Sequence, residues 1–205
     1  MSRYIVAIAG VPGSGKSTTA NAVSKCINAI QQKKSASEQD WAIHVPMDGF
    51  HLTRMQLDNL PNAEEAYLRR GADWTFDADQ FVESIRDIRH AGFGEYPSFD
   101  HALGDPVAGD IKVCKEHRVV LVEGNYLLLD KAPWTEIRNI ADETWFVDCS
   151  VEVAMQRVLR RQTGNGVAPE VARKRVVTND LPNALQIAAT KDRADLVLPA
   201  LPMSC

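Results

Sequence analysis

Lys16 and Ser17 close the run GVPGSGKS, in which Gly10, Gly13 and Gly15 are separated by small or kinked residues. Gly10, Gly15, Lys16 and Ser17 have the spacing G-x-x-x-x-G-K-[ST], that of a backbone loop wrapped around a chain of phosphates. Glycine is needed because the amides must turn inward and approach the ligand closely, and a helix starting at the lysine adds its positive dipole end. Gly10, Pro12, Gly13, Ser14, Gly15, Lys16, Ser17 and Thr18 are thus the expected cradle for ATP. Lys16 would neutralise the β and γ phosphates, and Ser17 would offer an oxygen to Mg2+. The bland alternative is a glycine-rich turn with an exposed lysine.

Two acids follow apolar runs further on. Asp48 stands after WAIHVPM, in MDGFH, and Glu123 after VVLV, in VEGNY. A carboxylate at the tip of a buried strand is costly unless it meets a cation, a hydroxyl or backbone donors. Asp48 is therefore the candidate general base for transfer to an alcohol, with a cap beside Gly49 as the alternative. Glu123 suits a magnesium site, or a simple contact with Lys16. His51 could bond a substrate or fill the turn. Arg157, Arg160 and Arg161 share one helix at i, i+3 and i+4, so at least two face the same way. They could close on a nucleotide or form a solvated basic face.

The elements that must carry these residues can be read from pattern. Strand-length apolar runs lie at 4–9, 41–47, 119–123, 144–148 and 195–199, without the alternation of a half-exposed sheet. Ala20, Val23, Ile27 and Ile30 fall on one helical face. Asp77 caps a second helix with the stripe Phe81, Ile85 and Ile88, and Gly92 lies just past its end. Ser150 caps a third, TGNG breaks it, Pro169 opens a fourth, and Pro182 opens a short last one. Residues 91–118 show no clear period and read as a long functional loop. Strands alternating with helices predict an α/β fold: a three-layer, doubly wound parallel sheet of about five strands, in one domain over 1–205. Ligands would sit beyond the carboxyl ends, where the loops after 9, 47 and 123 converge.

A net charge of -4 supplies no basic field for nucleic acid or an anionic membrane, so a small-molecule partner is favoured. Cys26, Cys114, Cys149 and Cys205 have no CxxC pairing or zinc spacing and read as reduced thiols of a cytoplasmic protein. No apolar run has the length of a signal or membrane segment. The guanine-reading wording of a GTPase switch is missing; TKDRAD at 190 has the wrong spacing and precedes its strand.

In order, GVPGSGKS, MDGFH, RRGADWTFDADQF, YPSFDHALGDPV, VVLVEGNYLLL and TNDLPNA resemble the uridine kinase and pantothenate kinase-like group of P-loop kinases over nearly the whole chain. The resemblance implies an ATP- and Mg2+-dependent kinase in which Asp48 is the catalytic base toward a primary hydroxyl and Glu123 the magnesium-linked acid. It puts Arg70, Tyr96, Asp100, His101 and Asn125, with His51, on the acceptor side, and Trp74 and Phe76 in the pocket wall. It makes Arg157 and Arg161 catalytic arginines of a helical lid at about 155–175. Trp74 and Phe76 could instead be core, Arg70 could pair with Asp73 or Asp77, and Tyr96 and His101 could lie on the surface. The pyrimidine-reading wording of uridine kinases is absent, so nucleosides, pantothenate-like amides and sugars stay open as acceptors. Arg54, Arg69 and Arg70 keep a nucleotide acceptor in play, a homodimer is compatible, and the rival class is a regulatory NTPase or adaptor with no acceptor.

Overall fold

A computed structural model describes residues 3–35, 39–100 and 103–201. Strands β1 (Tyr4–Ala9), β2 (Ala42–Pro46), β5 (Val119–Gly124), β6 (Glu143–Asp148) and β7 (Leu196–Pro199) form a parallel sheet in the order β2-β5-β1-β6-β7. β3 (Gly94–Asp100) and β4 (Asp105–Val113) form a separate antiparallel hairpin. All five expected strands of the main sheet are present.

Alternate residues of these strands serve two buried faces. Val6, Ile8, Leu121 and Val147 pack on Ala20 and Val23 of α1 (Lys16–Ser35). Ile5, Ala7, Val120, Val122 and Phe146 turn the other way. They share a core with Phe81, Ile85 and Ile88 of α4 (Ala78–His90), Ala154 and Val158 of α6 (Val151–Gly164), and Ile187 of α8 (Leu181–Ala188). Burial on both sides explains the apolar runs of the inner strands β1, β5 and β6, whereas the edge strand β7 leaves Leu196 and Val197 each 42% exposed; each fully buried side chain such as Ile85 contributes about 1.5–3 kcal/mol. Ile30 leaves the expected stripe and is 50% exposed. At 20 residues α1 outruns strands of 5 or 6, so its last turns have no sheet beneath them.

Helix ends follow local chemistry. The Asp77 side chain accepts from Gln80 N, and that of Ser150 from Val153 N, as expected of N-caps. Thr53 and Gln56 form a capping box on the short α2 (Arg54–Asp58), which is followed by α3 (Ala63–Leu68). After α5 (Ile137–Ile140) and α6, Pro169 opens α7 (Pro169–Arg175). The chain then runs through a π-helical turn, Val176–Asp180, directly into α8. Pro182 has no N–H to give the Thr178 carbonyl, which accepts instead from Arg69 Nη1 at 3.1 Å.

The expected loop at 91–118 is corrected to the β3–β4 hairpin. Its signal is hidden because the register shifts between Tyr96 and Ser98, around Pro97, and several of its residues are only partly buried. Pro97 is also where it docks: a Cβ on Gly49 would lie 2.0 Å from the Pro97 carbonyl oxygen. Only glycine lets the β2 tip approach the hairpin so closely.

Candidate active site

Register brings the chemistry together. β5 lies between β2 and β1, with Pro46 opposite Glu123 on one side and Ile8 opposite Glu123 on the other. The loop after β1, Asp48 two residues past Pro46, and Glu123 with Asn125 therefore leave the same edge of the sheet.

Residues 10–18 form the turn from β1 into α1. Gly13 and Gly15 have φ of +83° and +93°, and a Cβ on Gly13 would stand 2.4 Å from the Ala154 carbonyl oxygen of α6. α1 begins at Lys16, so its unpaired amides open onto the loop. Among the described residues Ser14 Oγ, which is buried, has no hydrogen-bond partner. A cavity of about 680 Å³ lies over Gly13, Gly15, Lys16, Ser17 and Thr18, walled by Arg157, Arg160 and Arg161. Arg157 Nη1 reaches the Gly13 and Ser14 carbonyls at 3.4 and 3.5 Å. The three arginines thus share this cavity, with Arg160 a wall residue beside the two expected ones.

Glu123, 4% exposed, accepts from Ser17 Oγ at 2.8 Å, and His44 Nε2 lies 3.4 Å from the same carboxylate oxygen. Burial pushes its pKa up. The His44 imidazole, the Lys16 ammonium and the Ser17 hydroxyl outweigh burial and hold it below the ordinary carboxylate value. Glu123 thus senses Lys16 and is hydrogen-bonded to Ser17. No group of three or more His, Cys, Asp or Glu among the described residues makes a metal cage. The Ser17–Glu123 pair suits Mg2+, which keeps several waters and phosphate oxygens as ligands.

Asp48 is half-buried, and among the described residues no hydrogen bond or ion pair to its carboxylate is found. Its backbone carbonyl accepts from His51 N at 3.2 Å and lies 2.8 Å from His51 Nδ1, so the turn is held by main chain rather than by the acid. Asn125 Oδ1 is buried, with no partner among the described residues. Tyr126, directly after it, donates its hydroxyl to Gly71 O at 2.6 Å. Burial raises the Tyr126 pKa, with Asp73, Asp180 and Asp48 adding to the push, so it stays a phenol.

Other acceptor-side residues serve the frame. Arg70 donates to Gly104 O (2.6 Å), Leu52 O (2.9 Å) and Asp105 Oδ1 (3.2 Å), and its guanidinium lies 5.6 Å from the Phe99 ring centroid. Its ion-pair partner is Asp105, not Asp73 or Asp77; Asp73 pairs with Lys131 at 2.7 Å. His51 packs on Phe76 and Phe99, with centroids 4.0 and 4.6 Å away. Phe76 is core and Trp74 half-buried. Tyr96 is 5% exposed, with burial raising its pKa. It lines a cleft of about 470 Å³ between Gly49, α4 and the hairpin, which shares no lining residue with the P-loop cavity. Asp100 accepts from Leu103 N and Gly104 N at the hairpin tip. His101 lies outside the described residues.

Sequence reading passed over His44, Tyr126, Gln162 and Asp180. A tyrosine three residues past the strand-end acid was the available signal for Tyr126. Asp180 sits in the π turn, where Gln162 Nε2 donates to it at 2.9 Å. Burial raises its pKa against the opposing pull of Gln162, Arg175 and Arg161. An acid raised in the fold favours folding most when protonated, and that contribution falls as pH climbs through its unfolded and folded values. Asp180→Asn keeps an acceptor for Gln162 and cannot ionise. Melting curves should show it more stable than wild type near pH 7, with the gain shrinking toward about pH 4. A constant difference across pH would contradict this.

Comparison with known proteins adds a lineage. The sequence pattern described as the Phosphoribulokinase / Uridine kinase family matches residues 5–204. A Schizosaccharomyces pombe protein named "Putative uridine kinase C227.14" is 39% identical over 203 residues, covering 97% of this chain and 84% of its own. The crystal structure of a "putative fructose transport system kinase" from Silicibacter sp. TM1040 superposes with TM-score 0.85 at 34% identity, covering 97% and 90% of the two chains. YFH7 from Saccharomyces cerevisiae shares the fold, with TM-score 0.83 at 22% identity over 98% and 93%.

Proposed function

Because the chain belongs to the phosphoribulokinase / uridine kinase family and is a P-loop kinase, we propose that it transfers the γ-phosphate of ATP to a hydroxyl of a small metabolite. The observation that carries this is a pair of neighbouring strand tips: Glu123 bonded to Ser17 of the loop, and Asp48 with a carboxylate that no described residue occupies.

The roles follow from the chain's own groups. The loop amides and Lys16 hold the phosphates in place, and Ser17 with Glu123 would hold Mg2+. That ion supplies charge neutralisation at the phosphates when bound. Asp48 takes the proton of the attacking hydroxyl, while Asn125 Oδ1 accepts from a second donor on the acceptor and orients it. Arg157 and Arg161 bring positive charge over the transferring group, and α6 with α7, about 155–175, acts as a lid that excludes water. Arg70 positions the hairpin tip, and through it Asp100 and the His51 ring. Residues 1–205 work as one kinase unit.

The names of the two relatives point to uridine and to a fructose transport system, so nucleosides and hexoses head the candidate acceptors, with pantothenate-like amides beside them. The test is coupled ADP release with ATP and Mg2+ over such a panel. The expected result is turnover that depends on one hydroxylated compound and yields its phosphate ester in equal amount. Hydrolysis at the same rate without any acceptor, or no turnover with any, would favour the regulatory NTPase instead.

A further inference from the structure

The amino end of the sheet, opposite the P-loop, holds a second concentration of positive charge. A cavity of about 300 Å³ is bounded by Arg3, Arg89, His90, Lys115, His117 and Arg118, with Gly92 as its remaining wall and no carboxylate in the lining. These residues come from the start of β1, the end of α4 and the turn between β4 and β5. None of them lines the P-loop cavity. A strand of 6 residues separates the two ends, roughly 20 Å.

Among the described residues only one of these arginines is neutralised by a neighbour: Arg89 meets Asp142 at 2.8 Å. Among the described residues, Arg3, Lys115 and Arg118 form no ion pair with any carboxylate. Arg3 is 6% exposed. It donates to the carbonyls of His117 (2.9 Å), Gly92 (2.7 Å), Cys114 (2.9 Å) and Ile88. Those bonds engage four of its five N–H hydrogens and fix the walls of the cavity, but carbonyl dipoles do not cancel a full buried charge. Burial lowers its pKa, and the like charge of Arg118 lowers it further. His117 Nδ1 accepts from Cys114 N at 2.8 Å, which leaves its ring proton on Nε2 as one more donor. Asp40 and Glu116 act on His117 from outside the lining.

Uncompensated cations gathered around one cavity repel one another, and a bound anion removes that cost. We infer that this cavity is a second anion site, built to take a small phosphorylated metabolite or a pyrophosphate-like group. Guanidinium and ammonium donors together match phosphate oxygens. A volume at the lower end of ligand pockets suits such a ligand better than a whole nucleoside triphosphate.

Pyrophosphate titrated into the full chain by calorimetry, in magnesium-free buffer, tests the site. Wild type is expected to show two sites, one of them lost in Lys16→Ala. Lys115→Glu with Arg118→Glu should remove the other, weakening it about tenfold or more, the worth of a lost charge-assisted bond. ADP affinity in that variant should match wild type, which also reports an intact fold. Lys115 is exposed, so Lys115→Glu alone leaves the core untouched and should give a smaller, graded loss. A Lys16→Ala protein with no remaining saturable site would overturn the assignment, as would a second site that binds equally well after Lys115→Glu.

Discussion

Asp48→Asn is expected to lower kcat by about two to four orders of magnitude while ADP affinity stays within about twofold of wild type. That is roughly 3–5 kcal/mol of lost transition-state stabilisation. Asparagine keeps the size of the side chain but cannot take a proton. No ion pair or hydrogen bond to the Asp48 carboxylate is found among the described residues, so the substitution breaks no contact and the melting temperature should hold. The loop proposed to hold the nucleotide follows β1, one strand removed across β5, which is why ADP affinity should be spared. Acceptor-saturated turnover and ADP titration of the same preparation decide the matter. Unchanged turnover would strip Asp48 of its role and leave the family's chemistry to another group.

Gly49→Ala should damage both stability and turnover, for a reason of contact rather than charge. The added methyl would sit 2.0 Å from the Pro97 oxygen and 2.5 Å from the Pro97 carbonyl carbon, both backbone atoms. Neither side can yield freely: Gly49 follows a strand paired with β5, and Pro97 lies within a hairpin paired along both arms. Overpacking of this kind costs about 1–3 kcal/mol, with a melting temperature lower by about 2–4 °C for each kcal/mol. Because Asp48 is the adjacent residue, a displacement near 1 Å would also cost about 100-fold in kcat. ADP binding should remain, separating a shifted β2 tip from general unfolding. A variant with wild-type melting and wild-type kcat would show that the hairpin can move aside without disturbing the acid.

The parts legible in sequence are those whose cause is local. The cradle could be read because its glycines, lysine and serine are contiguous and the conformation they need depends on residue type. The inner strands β1, β5 and β6 could be read because burial on both faces demands apolar runs, while the edge strand β7 shows an apolar run although Leu196 and Val197 are each 42% exposed. α4 and α6 could be read because Asp77 and Ser150 cap them through bonds that span three residues. Asp48 and Glu123 were visible as acids that end apolar runs.

What only the tertiary structure decided is pairing across long stretches of chain. Ser17 and Glu123 are 106 positions apart, and Arg70 and Asp105 are 35 apart. No local rule chooses Asp105 over the nearer Asp73. The hairpin at 94–113 was illegible because the register shift around Pro97 and mixed burial erase its alternation, and its place is set by a glycine 48 residues earlier. The carbonyl that Pro182 leaves open could be inferred from residue type, but the arginine that fills it comes from position 69. Residue chemistry along the chain thus determined which groups can bind phosphate and move a proton. The parallel register of β2, β5 and β1 determined that these groups leave one edge, since only side-by-side strands bring tips so far apart in sequence together.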